Sequence, residues 1–182
     1  MHFTTLFLTA VLPLLALAAP VHPRAVSPTQ YEIPVMNVHF MGRDSGIPGG
    51  WPESSKFNST LSFTLNYPDL DNDSTLSTTC DGSWVEHQPL TGWNSCKDNA
   101  VSWKFDEFTS EANFVLSVKN QVSATSAYTG NVDITANAGG AYLTCVGGAP
   151  LTGIKCNLDG IFAGTKPSPI IIPVSEVSAP TN

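Results

Sequence analysis

Basic residues are scarce in this chain. Lys and Arg number 8 against 15 Asp and Glu, for a formal net charge of −7. A surface of that sign is repelled by phosphate backbones, so nucleic acid is not an expected partner. Long apolar runs are scarce too. The one such run, Leu6 to Ala19, is short for a membrane span, and nothing after it is comparable. No window sustains an amphipathic helical period, and there are neither heptads nor internal repeats. Recognisable catalytic strings are missing. There is no Gly-x-Ser-x-Gly elbow and no His-Glu-x-x-His. Beyond the N-terminal leader the histidines are only His39 and His87, so a nucleophile has few candidate bases. Gly42 to Gly50, GRDSGIPGG, lacks the Gly-Lys-Ser/Thr ending of a phosphate loop and reads as a mobile connection. No Cys-x-x-Cys spacing exists, so no zinc, other metal or cofactor is expected.

What is present points to export. Leu6 to Ala19 has the length of a secretory signal core, although no Lys or Arg precedes it. Ala16-Leu17-Ala18 supplies a small-x-small cleavage pattern, so residues 1–18 are expected to be a signal peptide cut after Ala18. Residues 19–30 read as a flexible leader, residues 31–174 as a single β domain, and residues 175–182 as a disordered tail. After cleavage no membrane association is expected, and the protein is expected to be secreted and extracellular.

Four cysteines follow the leader: Cys80, Cys96, Cys145 and Cys156. An even count in an exported chain predicts full pairing. Of the three possible connectivities, Cys80–Cys96 with Cys145–Cys156 encloses two short loops of the kind a hairpin holds together.

Between the tails the hydrophobic period is two. Leu61, Phe63, Leu65 and Tyr67 alternate with polar residues, as do Val101, Trp103 and Phe105, then Phe114, Leu116 and Val118, and more briefly Val132 and Ile134. Weaker strands are expected over Tyr31 to Phe40, Ser74 to Cys80, Gln121 to Tyr128, Ala141 to Val146 and Ile154 to Leu158, with Ile170 to Ile172 as a last one. Turns are expected at Pro68 to Ser74, Asp106 to Ala112, Thr129-Gly130-Asn131, Asn137 to Gly140 and Gly147 to Pro150. Many short strands between such turns predict an all-β fold: a compact antiparallel β-barrel or sandwich stapled by two disulfides.

Candidate sites follow from residue chemistry. Trp84 and Trp93 both fall in the Cys80–Cys96 loop, with Glu86, His87 and Gln88 between them. Aromatic faces beside polar groups grip sugars or flat ligands, whereas Trp rings under a stapled loop also serve as core cover. Asn58-Ser59-Thr60 and Asn72-Asp73-Ser74 are N-glycosylation sequons, with Asn72 on an expected hairpin tip. Asp69-Leu70-Asp71-Asn72-Asp73 imitates the start of a calcium loop. Ser74 then stands where the sharp turn requires Gly, and Cys80 where the bidentate Glu belongs, so an acidic hairpin tip is expected instead. Asp106, Glu107, Glu111 and Glu86 could supply the two carboxylates of a glycosidase, but nothing in the sequence brings any two together.

A resemblance emerges from the order of these features. Ser59-Thr60-Leu61-Ser62-Phe63, then Cys80, then Trp93-Asn94-Ser95-Cys96, the alternating strand Val101 to Phe105, and a second close cysteine pair together resemble the Alt a 1 (AA1-like) family of small secreted fungal proteins. The resemblance spans roughly Val35 to Val174 and rests on structural positions. It implies a compact β-barrel and the same disulfide pairing. It also implies a non-catalytic effector- or elicitor-like role at the fungus–plant boundary, with allergen-like relatives. Expected partners are host extracellular proteins or small ligands. Two departures stand out. No cysteine lies between Ala19 and Thr79, so a disulfide-linked dimer is not expected, leaving a monomer or non-covalent oligomer. The stretch from Cys96 to Cys145 is long, and an added hairpin is expected within Asn120 to Gly140. Two alternative functions stay open: a carbohydrate-binding or wall-associated protein using Trp84 and Trp93, and a hydrolase with paired carboxylates.

Overall fold

The computed structural model describes residues 27–72, 74–85, 88–158 and 168–178. The expected signal peptide, its cut after Ala18 and most of the leader lie outside these residues. Where alternation is strict, strands form. They are β1 (Gln30–Phe40), β2 (Ser59–Pro68), β3 (Thr75–Trp84), β4 (Asn94–Ser95), β5 (Val101–Ser110), β6 (Asn113–Gln121), β7 (Ser126–Thr135), β8 (Thr144–Gly147), β9 (Ile154–Asn157), β10 (Ile170–Pro173) and β11 (Ser175–Ser178). Among the described residues a single 3-10 turn, Glu53–Ser55, accompanies them.

The strands build two antiparallel sheets. The first runs β3-β2-β1-β9-β8, with β10 also paired to β1. The second runs β11-β7-β6-β5-β4. They do not close into a barrel; the sandwich alternative is the one realised. Alternate residues of both sheets meet in one hydrophobic cluster that includes Ile33, Val38, Leu61, Phe63, Trp103 and Leu116. Phe63 of the first sheet meets the Trp103 ring of the second edge-on, at 5.9 Å between centroids. Gly82 of β3 is required at this contact. A Cβ there would lie 2.7 Å from the Trp103 ring.

Both expected disulfides are present, and they do different work. Cys145 and Cys156 are directly opposed in the β8–β9 hairpin. Cys80 lies in β3 of the first sheet, and Cys96 follows β4 of the second. The Cys80–Cys96 bond is therefore a bridge between sheets, where a hairpin staple was expected. Backbone and side-chain bonds reinforce it. Lys97 N–H donates to Thr79 O at 2.9 Å. Asp98 N–H donates to Thr78 Oγ1 at 2.9 Å, and the Tyr67 hydroxyl donates to the Asp98 carboxylate at 2.5 Å. Burial and that carboxylate raise the Tyr67 hydroxyl well above its ordinary pKa.

Several expectations about turns and tails are corrected. The turn expected over Asp106 to Ala112 shrinks to Glu111 and Ala112, because β5 continues to Ser110. The β5–β6 register slips between Phe105 and Glu107 and again between Phe108 and Ser110. Each bulge inserts a residue and shifts the phase of alternation, so the pattern breaks while the strand goes on. Thr129-Gly130-Asn131 lies inside β7, paired to Lys119, Val118 and Ser117. Gly130 is there for space, not for turning. A Cβ would lie 2.2 Å from the Pro173 carbonyl oxygen, where the chain crosses from β10 in the first sheet to β11 in the second. The domain accordingly reaches beyond 31–174. It opens at Gln30, and Ser175–Ser178, expected as disordered tail, pair with β7 as an edge strand. Residues 179–182 lie outside the described residues. The added hairpin expected within Asn120 to Gly140 is not there: that stretch holds β7, which pairs back onto β6, and the turn at residues 122–125 breaks the strand expected over Gln121 to Tyr128.

Candidate ligand-binding face around Trp93

The outer face of the second sheet is assembled by register. Where Val101, Trp103, Leu116 and Val118 point inward, their neighbours must point outward. One transverse row runs Ser95, Ser102, Lys119, Thr129, Ser175 across β4, β5, β6, β7 and β11. The adjacent row carries Lys104, Ser117 and Asn131. Trp93, one residue before β4, lies beside Lys104 and closes one end. Of these, Trp93, Lys104, Ser117, Thr129, Asn131 and Ser175 line a recess of about 390 Å³ together with Asp106, and Lys119 borders it through its contact with the Trp93 ring.

Trp93 is 41% exposed. The Lys104 ammonium lies 5.1 Å from its ring centroid, and the Lys119 ammonium 4.6 Å. Both are attracted by the ring's negative face. Lys104 also forms an ion pair with Asp106. Asp106 accepts a hydrogen bond from the Ser117 hydroxyl as well. The Lys104 ammonium, then the Ser117 hydroxyl, hold the Asp106 carboxyl below its ordinary pKa. The β5 bulge explains this geometry. Asp106 is the inserted residue, freed from facing a partner on β6 and able to lean back over Lys104 and Ser117. Among the described residues, Lys119 has no carboxylate partner.

The expected Trp84–Trp93 pair is not assembled. Trp84 is 4% exposed and lies in the core, edge-on to Phe105 at 5.3 Å and to Phe108 at 6.2 Å between centroids. It ends β3, so the sheet's own alternation turns it inward. It therefore offers no ring to a ligand, and Trp93 stands alone as the exposed platform. Glu86 and His87 lie outside the described residues.

The carboxylates are dispersed as well. Asp106 lines the Trp93 recess, while Glu107 is exposed on the bulged strand. Glu111 is buried at the β5–β6 turn and accepts from Ser59 Oγ at 3.3 Å; it borders a different recess, beside Phe40 and Arg43. His39 stacks on Phe57 at 4.6 Å, and its Nε2 donates to Thr152 O at 2.8 Å. The acidic tip at Asp69 behaves as a turn. Asp69 accepts from Asn72 Nδ2 at 2.9 Å, Asp71 N–H at 3.0 Å and Ser74 Oγ at 3.3 Å. Among the described residues no three His, Cys, Asp or Glu side chains are grouped to hold a metal ion. Both sequon asparagines, Asn58 and Asn72, are exposed, the Asn72 amide nitrogen being engaged with Asp69.

Lys104, Lys119, Ser117, Thr129, Asn131 and Ser175 escaped sequence reasoning as site residues. The signal existed in the alternation, which marks Ser102, Lys104, Ser117 and Lys119 as outward. Only the pairing register shows that they share one row or the next. No family model matches the chain, and no curated protein matches it.

Proposed function

We propose that this protein is an exported, non-catalytic binding protein of the effector or elicitor type, acting at the fungus–plant boundary through the outer face of its second sheet. The carrying observation is Trp93: a large aromatic ring left exposed and held beneath two ammonium groups at the mouth of a polar recess. Exposed aromatic area with a few oriented polar groups is the common chemistry of ligand recognition. Two disulfides fit folding in an oxidising compartment. The plant-facing role is supported by the resemblance in the Trp93-Asn94-Ser95-Cys96 string and the two sequential cysteine pairs. A host extracellular protein or a small ligand is the proposed partner.

The test is infiltration of signal-free protein into leaf tissue, with a reduced and alkylated sample alongside. An oxidative burst from the folded form alone is the expected result. An equal burst from both forms would place the activity in a linear peptide and remove the folded surface from the account.

A further inference from the structure

The recess around Trp93 has a chemical bias that narrows its ligand. In a chain of net charge −7, two of the 8 basic residues converge on one exposed ring. The row beside that ring is wholly polar: Ser95, Thr129 and Ser175 contribute accessible hydroxyls and Lys119 an ammonium, while Ser102 between Ser95 and Lys119 is buried. At ~4.8 Å between strands, four intervals make a track of ~19 Å, long enough for a short oligosaccharide. We infer that this face binds an acidic oligosaccharide, a chain of uronic acid units. One sugar ring would lie on Trp93, its carboxylate on Lys119, and neighbouring hydroxyls on the Ser and Thr row. This inference rests on the Trp93 face being the binding surface.

The charges on this face set the direction of the ligand. Asp106 neutralises Lys104 and so holds it in place, leaving Lys119 as the cation without an acidic partner among the described residues. Glu107 and Asp133 flank Val115 on the same outer face, on the far side of Ser117 from Lys119. An anionic chain is repelled from that end and favoured along the hydroxyl row. A neutral sugar would lose the charge-assisted hydrogen bond and bind more weakly through stacking alone. The attraction is between partly exposed groups, so salt weakens it.

The test is titration of the signal-free protein with a short galacturonic acid oligomer and, separately, the matching neutral galactose oligomer, read by the Trp93 indole N–H resonance. The acidic oligomer is expected to shift that resonance with an affinity at least about tenfold higher than the neutral one. Lys119→Gln is expected to weaken binding about tenfold, as loss of a charged hydrogen bond does, and Lys119→Arg to restore most of it. Asp106→Asn, which removes the one acid in the recess, is expected to tighten binding. Unchanged melting temperatures would show that the variants are folded. Equal binding of both oligomers, or undiminished binding by Lys119→Gln, would overturn the assignment of an acidic ligand. No binding of the acidic oligomer, with a leaf response that still requires Trp93, would overturn it while leaving the proposed function standing. A leaf response independent of Trp93 would remove the binding surface itself.

Discussion

The two faces of the second sheet are made by the same strands and differ only in which alternate residues they show. The inner face presents Trp103, Leu116 and Val118, all fully buried, and packs against the first sheet. The outer face presents Trp93, Lys104, Ser117 and Lys119 around an open recess. One Trp has no exposed surface and packs between the sheets; the other is 41% exposed, with two lysine ammonium groups against its ring. Residue type thus says little about role here. Placement decides: Trp103 occupies an inward position of β5 and is committed to stability, whereas Trp93 stands just outside β4 and is open to a ligand.

The inner face should be the more fragile. Trp103→Ala is expected to cost about 3–5 kcal/mol, because it removes a large buried ring and leaves a cavity against Gly82 and Phe63. Urea unfolding measures this. A loss comparable to that of Trp93→Ala would erase the contrast between the faces.

The disulfides sharpen the comparison at the edges of the sheets. Replacing Cys80 and Cys96 together by Ser is expected to cost about 3 kcal/mol, and Cys145 with Cys156 slightly less, following the loop lengths they close. Their sequence separations are 16 and 11. Thermal unfolding of the two double variants gives the order. Only the first joins the two sheets, so its loss should also raise hydrogen exchange along the β3 edge.

Trp93→Ala is expected to change stability by less than about 1 kcal/mol, since it removes exposed cation–π contacts and no core. A larger loss in the same urea experiment would make Trp93 a structural residue.

The smallest effect belongs to Asp106. Its folded pKa is depressed from 3.8 by Lys104 and Ser117, so its contribution is present above that ordinary value. The contribution is lost as the pH falls through the lower folded value. The pair is partly exposed, so the amount is below about 1 kcal/mol. Asp106→Asn should flatten this part of the acid limb of a stability–pH curve. An unchanged acid limb would remove the anchoring role given to Asp106.

Much of the sandwich was legible from the chain because its period of two is strong. Leu61 to Tyr67, Val101 to Phe105 and Phe114 to Val118 all became strands with the expected faces inward. The cysteine pairing was legible from loop length. That Cys80–Cys96 spans two sheets was not, because sequence separation carries no information about sheet membership. The bulge at Asp106 hid the second half of β5 by shifting its phase, and Gly130 imitated a turn while serving a chain crossing. The site was half legible. Trp93 stood out, but Trp84 did not separate from it until β3 was seen to run on past Cys80. The hydroxyl and lysine row remained invisible because its members are scattered along the chain and meet only through register.

The most direct measurement is the dose–response of the leaf oxidative burst for Trp93→Ala against the wild type, each verified to melt at the same temperature. Loss of the response in the folded variant is the predicted result. A full response from it would contradict the assignment of the Trp93 face as the working surface.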